Sequence, residues 1–178
     1  MNQRLQSVLL ASNLISVLVT SASFAEMSVD IYATNAEGQG EMLGTVSVMD
    51  SEFGLLLTPT LQGLEPGLHG FHVHTNPACE AAEKDGKMVP GLAAGGHFDP
   101  AATGAHKGPY DNSGHLGDLP PLYVMADGSA STPMLAPRLK EADLQGRSLM
   151  IHASGDNFSD QPEALGGGGA RMACGVVQ

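Results

Sequence analysis

Glycine and proline cut this chain into short apolar pieces. Of its 178 residues, 23 are glycine and 11 are proline. Val29, Ile31 and Ala33 recur at every second position, the period of a half-buried strand. Thr45-Val46-Ser47-Val48 and Leu55-Leu56-Leu57-Thr58 follow at short spacing. Leu122 to Met125, Ser148 to Ile151 and Met172 to Val177 are further short runs. Turn signals stand between them: EGQG (Glu37 to Gly40), EPG (Glu65 to Gly67), ADG (Ala126 to Gly128) and four successive glycines, Gly166 to Gly169. Many short strands with such turns close as an antiparallel sandwich or barrel and leave little room for helix. Tryptophan is absent, so the core is to be packed by Val, Leu, Ile, Met and Ala.

Two stretches do not read as strands, from Asn76 to about Leu119 and from Ala153 to about Gly169. Loops this long are uncommon in a compact domain and tend to be functional. The first holds three of the seven histidines.

The first 25 residues read separately. Arg4 is the only charged side chain before Glu26, an apolar run extends from Val8 to Val19, and Ser23-Phe24-Ala25 places small residues at the -3 and -1 positions of a cleavage site. That is the layout of a secretory signal peptide. It is too short and interrupted for a transmembrane helix, which needs roughly 20 apolar residues. Residues 26–178 then form one mature domain. No other segment is apolar enough to span a bilayer, so a soluble mature protein is expected, with no membrane contact after cleavage.

The formal net charge is -11, and losing Arg4 with the leader makes it -12. With only eight Lys and Arg, the chain is unsuited to nucleic acid, where cations must replace the phosphate counterions. The two cysteines, Cys79 and Cys174, favour a disulfide in an exported protein. The alternative is a pair of thiolate ligands.

The histidines are His69, His72, His74, His97, His106, His115 and His152. A lone histidine on an apolar strand is ordinarily a hydrogen-bonded core residue, but these cluster. In GLHGFHVH (Gly67 to His74), His72 and His74 share one face of a strand and can grip one ion. His69 has the opposite parity. His97, His106 and His115 lie nine apart, with Asp118 three residues on. Three imidazoles and a carboxylate make a closed four-coordinate zinc site. An all-imidazole set suits copper(II). His152 sits at the end of an apolar run. Six histidines and Asp118 can therefore hold two metal ions.

GLHGFHVH, GGHFDP (Gly95 to Pro100), GHLGDLP (Gly114 to Pro120), the His152 segment and GGGGARMACGV (Gly166 to Val176), in this order, resemble the copper–zinc superoxide dismutases of the bacterial exported branch. The likeness runs over residues 27 to 178. It implies an all-β fold, an eight-stranded antiparallel Greek-key barrel or sandwich with two long functional loops. It implies copper on His72, His74, His97 and His152, and zinc on His97, His106, His115 and Asp118, with His97 shared. Asp156 would tie the two sites together, Cys79 would pair with Cys174, and Arg171 would stand beside the copper channel as a catalytic group with His97. His69 matches a histidine that is no ligand.

The implied reaction is dismutation of the superoxide anion in the periplasm, with one copper and one zinc per subunit. Lys84 and Lys87 could add to a positive funnel or be plain solvated lysines. Bacterial members include monomers and dimers, so a homodimer is allowed but not required. Competing readings are a periplasmic copper- and zinc-binding or delivery protein on the same fold, a zinc hydrolase, and a disulfide-stapled structural domain. A hydrolase needs an open zinc position and a nearby base, and no HExxH-like pairing exists in the sequence.

Overall fold

A computed structural model describes residues 27–178; the expected leader lies outside the described residues. Eleven strands follow in order: β1 (Met27–Asn35), β2 (Gly38–Ser51), β3 (Gly54–Leu61), β4 (Gly67–His69), β5 (Phe71–His74), β6 (Ala82–Lys84), β7 (Lys87–Val89), β8 (Leu122–Val124), β9 (Met134–Ala136), β10 (Ser148–His152) and β11 (Arg171–Val176). The described residues hold no α-helix, only 3-10 turns at Leu92–Ala94, Glu141–Leu144 and Ala164–Gly167.

Seven strands make one antiparallel sheet in the order β5-β10-β11-β1-β2-β3-β9, and β4 pairs with β8. Counted with β4 and β5 as one strand broken at Gly70, the scaffold has the expected eight strands. The additional pair is a correction. The stretch after Asn76, read as strand-free, contains the β6–β7 hairpin. Asp85-Gly86 between its strands is a strong two-residue hairpin signal, but the flanking runs are too short and polar to show alternation. Strand β9 was likewise not read from the sequence. Its three residues alternate buried, exposed, buried, too few to establish a period.

Alternate residues of the main sheet point into a common core: Val29 and Ile31 from β1, Val46 and Val48 from β2, Leu55 and Leu57 from β3, Phe71 and Val73 from β5, Leu149 and Ile151 from β10. Each such side chain contributes about 1.5–3 kcal/mol when fully buried. Phe71 and Phe98 join the aliphatic residues, so the core is not wholly without aromatics. The opposite parity of β5 carries His72 and His74, which are buried as well. They lie beneath the two long loops.

The first of those loops is pinned along the free edge of β5. His74 pairs with His97 and His72 with Asp118 in isolated antiparallel bridges. Backbone bonds run from Phe98 N to Val73 O, Val73 N to Gly117 O and Gly117 N to Phe98 O, each 2.8 Å. A Cβ at residue 117 would press on Phe98 N at 2.9 Å and still harder on Val73 O. Three backbones meet there, and only glycine allows it. The disulfide between Cys79 and Cys174 forms, with a Cα–Cα distance of 5.7 Å, and closes a 95-residue separation. In the chain-entropy model a loop of that size is worth about 4–5 kcal/mol.

Candidate metal centre

The six histidines and Asp118 converge in one buried cluster. His72, His74, His97, His106, His115, His152 and Asp118 are each at most 7% exposed. Two groups of donor atoms close within 4.8 Å: His72, His74, His97 and His152, and His72, His97, His106 and Asp118. The second group holds His72 where the sequence reading places His115. His115 is nevertheless close, its Nδ1 3.4 Å from Asp118 Oδ1.

Hydrogen bonds decide which nitrogen of each ring is free. His74 Nδ1 donates to Gly95 O at 2.9 Å, and His152 Nδ1 donates to Gly169 O at 3.2 Å. Their Nε2 atoms then face each other at 3.4 Å. His72 Nε2 donates to Asp156 Oδ2 at 2.7 Å, and His106 Nε2 donates to Asp156 Oδ1 at 2.8 Å. Asp156 therefore spans the two groups and leaves Nδ1 free on both rings. Because His72 spends Nε2 on Asp156, only Nδ1 remains to it. The left-handed Gly166 (φ +74) lies against this carboxylate: a Cβ there would press on Asp156 and meet His106 Nε2 at 2.8 Å.

Four buried ring nitrogens have no hydrogen-bond partner: His72 Nδ1, His97 Nε2, His106 Nδ1 and His115 Nδ1. An unpaired buried polar atom costs about 1–3 kcal/mol, and four in one cluster point to a missing common partner. Distances test whether a metal fits. Asp118 Oδ1 lies 3.0 Å from His97 Nδ1, 3.1 Å from His106 Nδ1 and 3.4 Å from His115 Nδ1. Donors about 2.0 Å from a tetrahedral zinc stand about 3.3 Å apart. These three separations match the spacing of donors around zinc. His97 belongs to both donor groups; its Nδ1 faces Asp118, and its Nε2 has no hydrogen-bond partner.

The electrostatics agree. Burial, then the neighbouring His97, pushes His72 down to about 3. Burial holds His152 at about 4 and His74 and His97 below their ordinary value. These rings are neutral at pH 7, as ligands must be. Burial also opposes charge on His106, but the carboxylate of Asp118, 3.1 Å from Nδ1, and that of Asp156, bonded to Nε2, outweigh it and raise it to about 9. Both aspartates, resisting burial through their histidine partners, sit well below the usual carboxylate range.

His69 stays out of the cluster. Its ring nitrogens lie against His152 O at 2.8 Å and Glu65 O at 2.7 Å. It props the backbone of a cluster residue, as a histidine of no ligand role should. Arg171, half-buried, donates to Gly91 O at 3.1 Å and Gly95 O at 2.6 Å. Gly95 O is also the acceptor for His74, so one carbonyl couples the guanidinium to the cluster. Its positive charge is among the causes that lower His74 and His152. Lys84 and Lys87 face each other across the β6–β7 hairpin, both exposed.

The family model described as copper/zinc superoxide dismutase matches residues 42–177. The chain belongs to this family. Copper–zinc superoxide dismutase 1 of Salmonella typhimurium is 54% identical over 164 residues, covering 90% of this chain and 93% of the relative. The copper–zinc superoxide dismutase of Brucella abortus superposes with a TM-score of 0.84 at 51% identity, over 86% of this chain and all of that one. The monomeric copper, zinc superoxide dismutase of Salmonella enterica gives 0.78 at 52% identity, with the same coverage. Relative to the family pattern read from the sequence, two contributors went unnoticed. Asp160 Oδ2 accepts from the backbone of His106 at 2.8 Å. Arg138 binds loop carbonyls. A carboxylate or arginine serving the backbone leaves no spacing signal.

Proposed function

We infer that this protein is a superoxide dismutase that binds copper and zinc. One superoxide is oxidised to O2, and a second, with two protons, is reduced to H2O2. We propose His72, His74, His97 and His152 as the copper ligands, and His97, His106, His115 and Asp118 as the zinc ligands. The observation that supports this best is His97, which belongs to both donor groups, with Nδ1 on Asp118 and Nε2 without a partner. Copper bound there supplies the one-electron chemistry, and zinc is redox-silent. His97 keeps Nδ1 on the zinc side, which leaves Nε2 as the atom that carries a proton in one half of the cycle and gives it up in the other. Asp156 holds the tautomers of His72 and His106, the role of carboxylates behind metal-bound imidazoles.

Superoxide is an anion and the chain is acidic, so local charge must outweigh net charge. Arg171 fits that role: its guanidinium stays charged at working pH and its charge is felt by His74 and His152. All of these groups come from one chain. A delivery protein would hold copper on exposed or incomplete ligand sets. Here the six histidines and Asp118 are buried together, and both cysteines are paired.

We also propose that residues 1–25 are removed and that residues 26–178 act as one domain in the periplasm. The disulfide supports an oxidising compartment, and the leader composition supports export. Among the described residues no helix is long and apolar enough to cross a membrane. Removing both metals should abolish dismutase activity, and copper should be required to restore it. Full activity restored by zinc alone would overturn the copper assignment.

A further inference from the structure

Arg138, just past β9, makes more hydrogen bonds to the metal-bearing loop than any ligand requires. Its Nε donates to Pro109 O at 2.9 Å, its NH2 nitrogen to Gly108 O at 2.9 Å and His115 O at 2.6 Å, and its NH1 nitrogen to Gly114 O at 3.3 Å. Four carbonyls from two stretches, 108–109 and 114–115, thus close on one planar fork, the donor geometry that lysine lacks. An exposed turn that includes Tyr110 separates the stretches.

Each stretch touches the zinc group directly. Gly108 N donates to Asp118 Oδ2 at 3.1 Å, beside Lys107 N at 3.2 Å, so one residue has its amide on Asp118 and its carbonyl on Arg138. His115 has its carbonyl on Arg138 and its Nδ1 among the zinc donors. Apart from a long 3.5 Å bond from Asp118 N to His115 O, no backbone N–H pairs with these carbonyls among the described residues, and buried carbonyls left unpaired favour a rearranged loop.

We propose that Arg138 is a positioning residue that sets zinc affinity by holding His115 and the Asp118 cradle in place before the metal arrives. This rests on the zinc assignment above. Two effects of the guanidinium oppose each other. Preorganising the loop tightens zinc binding, whereas a positive charge near Asp118, whose field acts on Arg138, weakens it. Four directed bonds at 2.6–3.3 Å favour the first, because the charge is partly solvent-screened while the bonds fix the ligand geometry.

The test is zinc affinity of the metal-free, disulfide-intact protein by chelator competition, with the visible bands of cobalt(II) as a spectroscopic reading of the four-coordinate site. Arg138→Met should bind zinc at least about tenfold more weakly, the scale of lost support behind a ligand. Arg138→Lys should recover part of this, and copper affinity of the zinc-loaded proteins should stay within about twofold. Arg138→Gln provides the same comparison if the methionine variant does not fold. Zinc binding that is unchanged or tighter in the variants, or an equal loss of copper, overturns the proposal. Asp118→Ala is the control: if it retains zinc as the unaltered protein does, the zinc assignment itself fails and takes this inference with it.

Discussion

Asp156→Asn removes one charge and no volume, and its effect follows from counting protons. Asp156 accepts from three donors: His72 Nε2 at 2.7 Å on Oδ2, and His106 Nε2 at 2.8 Å and Phe158 N at 2.7 Å on Oδ1. An asparagine has one accepting oxygen, and its amide nitrogen must face one of the two imidazoles. That ring then meets a donor with its own N–H. It can move its proton to Nδ1, which blocks the metal-facing atom, or keep an unmatched bond. A hydrogen bond to a charged group is worth about 1.5–3 kcal/mol. At 1.4 kcal/mol per decade, one of the two sites loses about tenfold to a hundredfold in affinity. Phe158 N and His106 both donate to Oδ1, so the oxygen stays there, the amide nitrogen faces His72, and the loss should fall on copper. Chelator competition for each metal, on variant and unaltered protein, measures this. Both affinities within twofold of the unaltered protein would refute the tautomer account.

Two further outcomes are expected. Arg171→Ala should lower the dismutation rate at low ionic strength by about tenfold or more and flatten its salt dependence; rate measurements across ionic strength check this, and an unchanged rate and slope would remove Arg171 from the mechanism. In the metal-free protein His106 keeps its proton up to about 9, against about 6.5 in the unfolded chain. Zinc must displace that proton, so apparent zinc affinity should rise by roughly tenfold per pH unit between pH 7 and 9 and then level off. The same shift stabilises the metal-free fold fully below about pH 6.5, and that contribution is lost as pH rises through about 9. A flat zinc affinity over this range would contradict the carboxylate contacts assigned to His106.

The strand-borne half of the site was legible because period-two alternation converts spacing into direction. His72 and His74 share a face of β5, as their i, i+2 spacing requires. His69 lies outside both donor groups, but the break at Gly70 weakens parity as the reason. What holds it apart is that both ring nitrogens are occupied by carbonyls. In the loop-borne half the residue types suggest a zinc set, but its place beside β5 was legible only through motif order. His97 and Asp118 reach the cluster because short loop segments pair with the edge of β5, and nothing in their own spacing predicts that pairing. The β6–β7 hairpin and β9 are too short for periodicity. Arg138 and Asp160 act on backbone atoms, which carry no sequence identity.

Metal content of the His97→Ala variant tests the shared-histidine claim most directly. His97 belongs to both donor groups, with Nδ1 against Asp118 and Nε2 without a partner, so its loss should weaken both sites together, and copper and zinc per chain should both fall. Loss of one metal with full retention of the other would show that the two sites do not meet at His97.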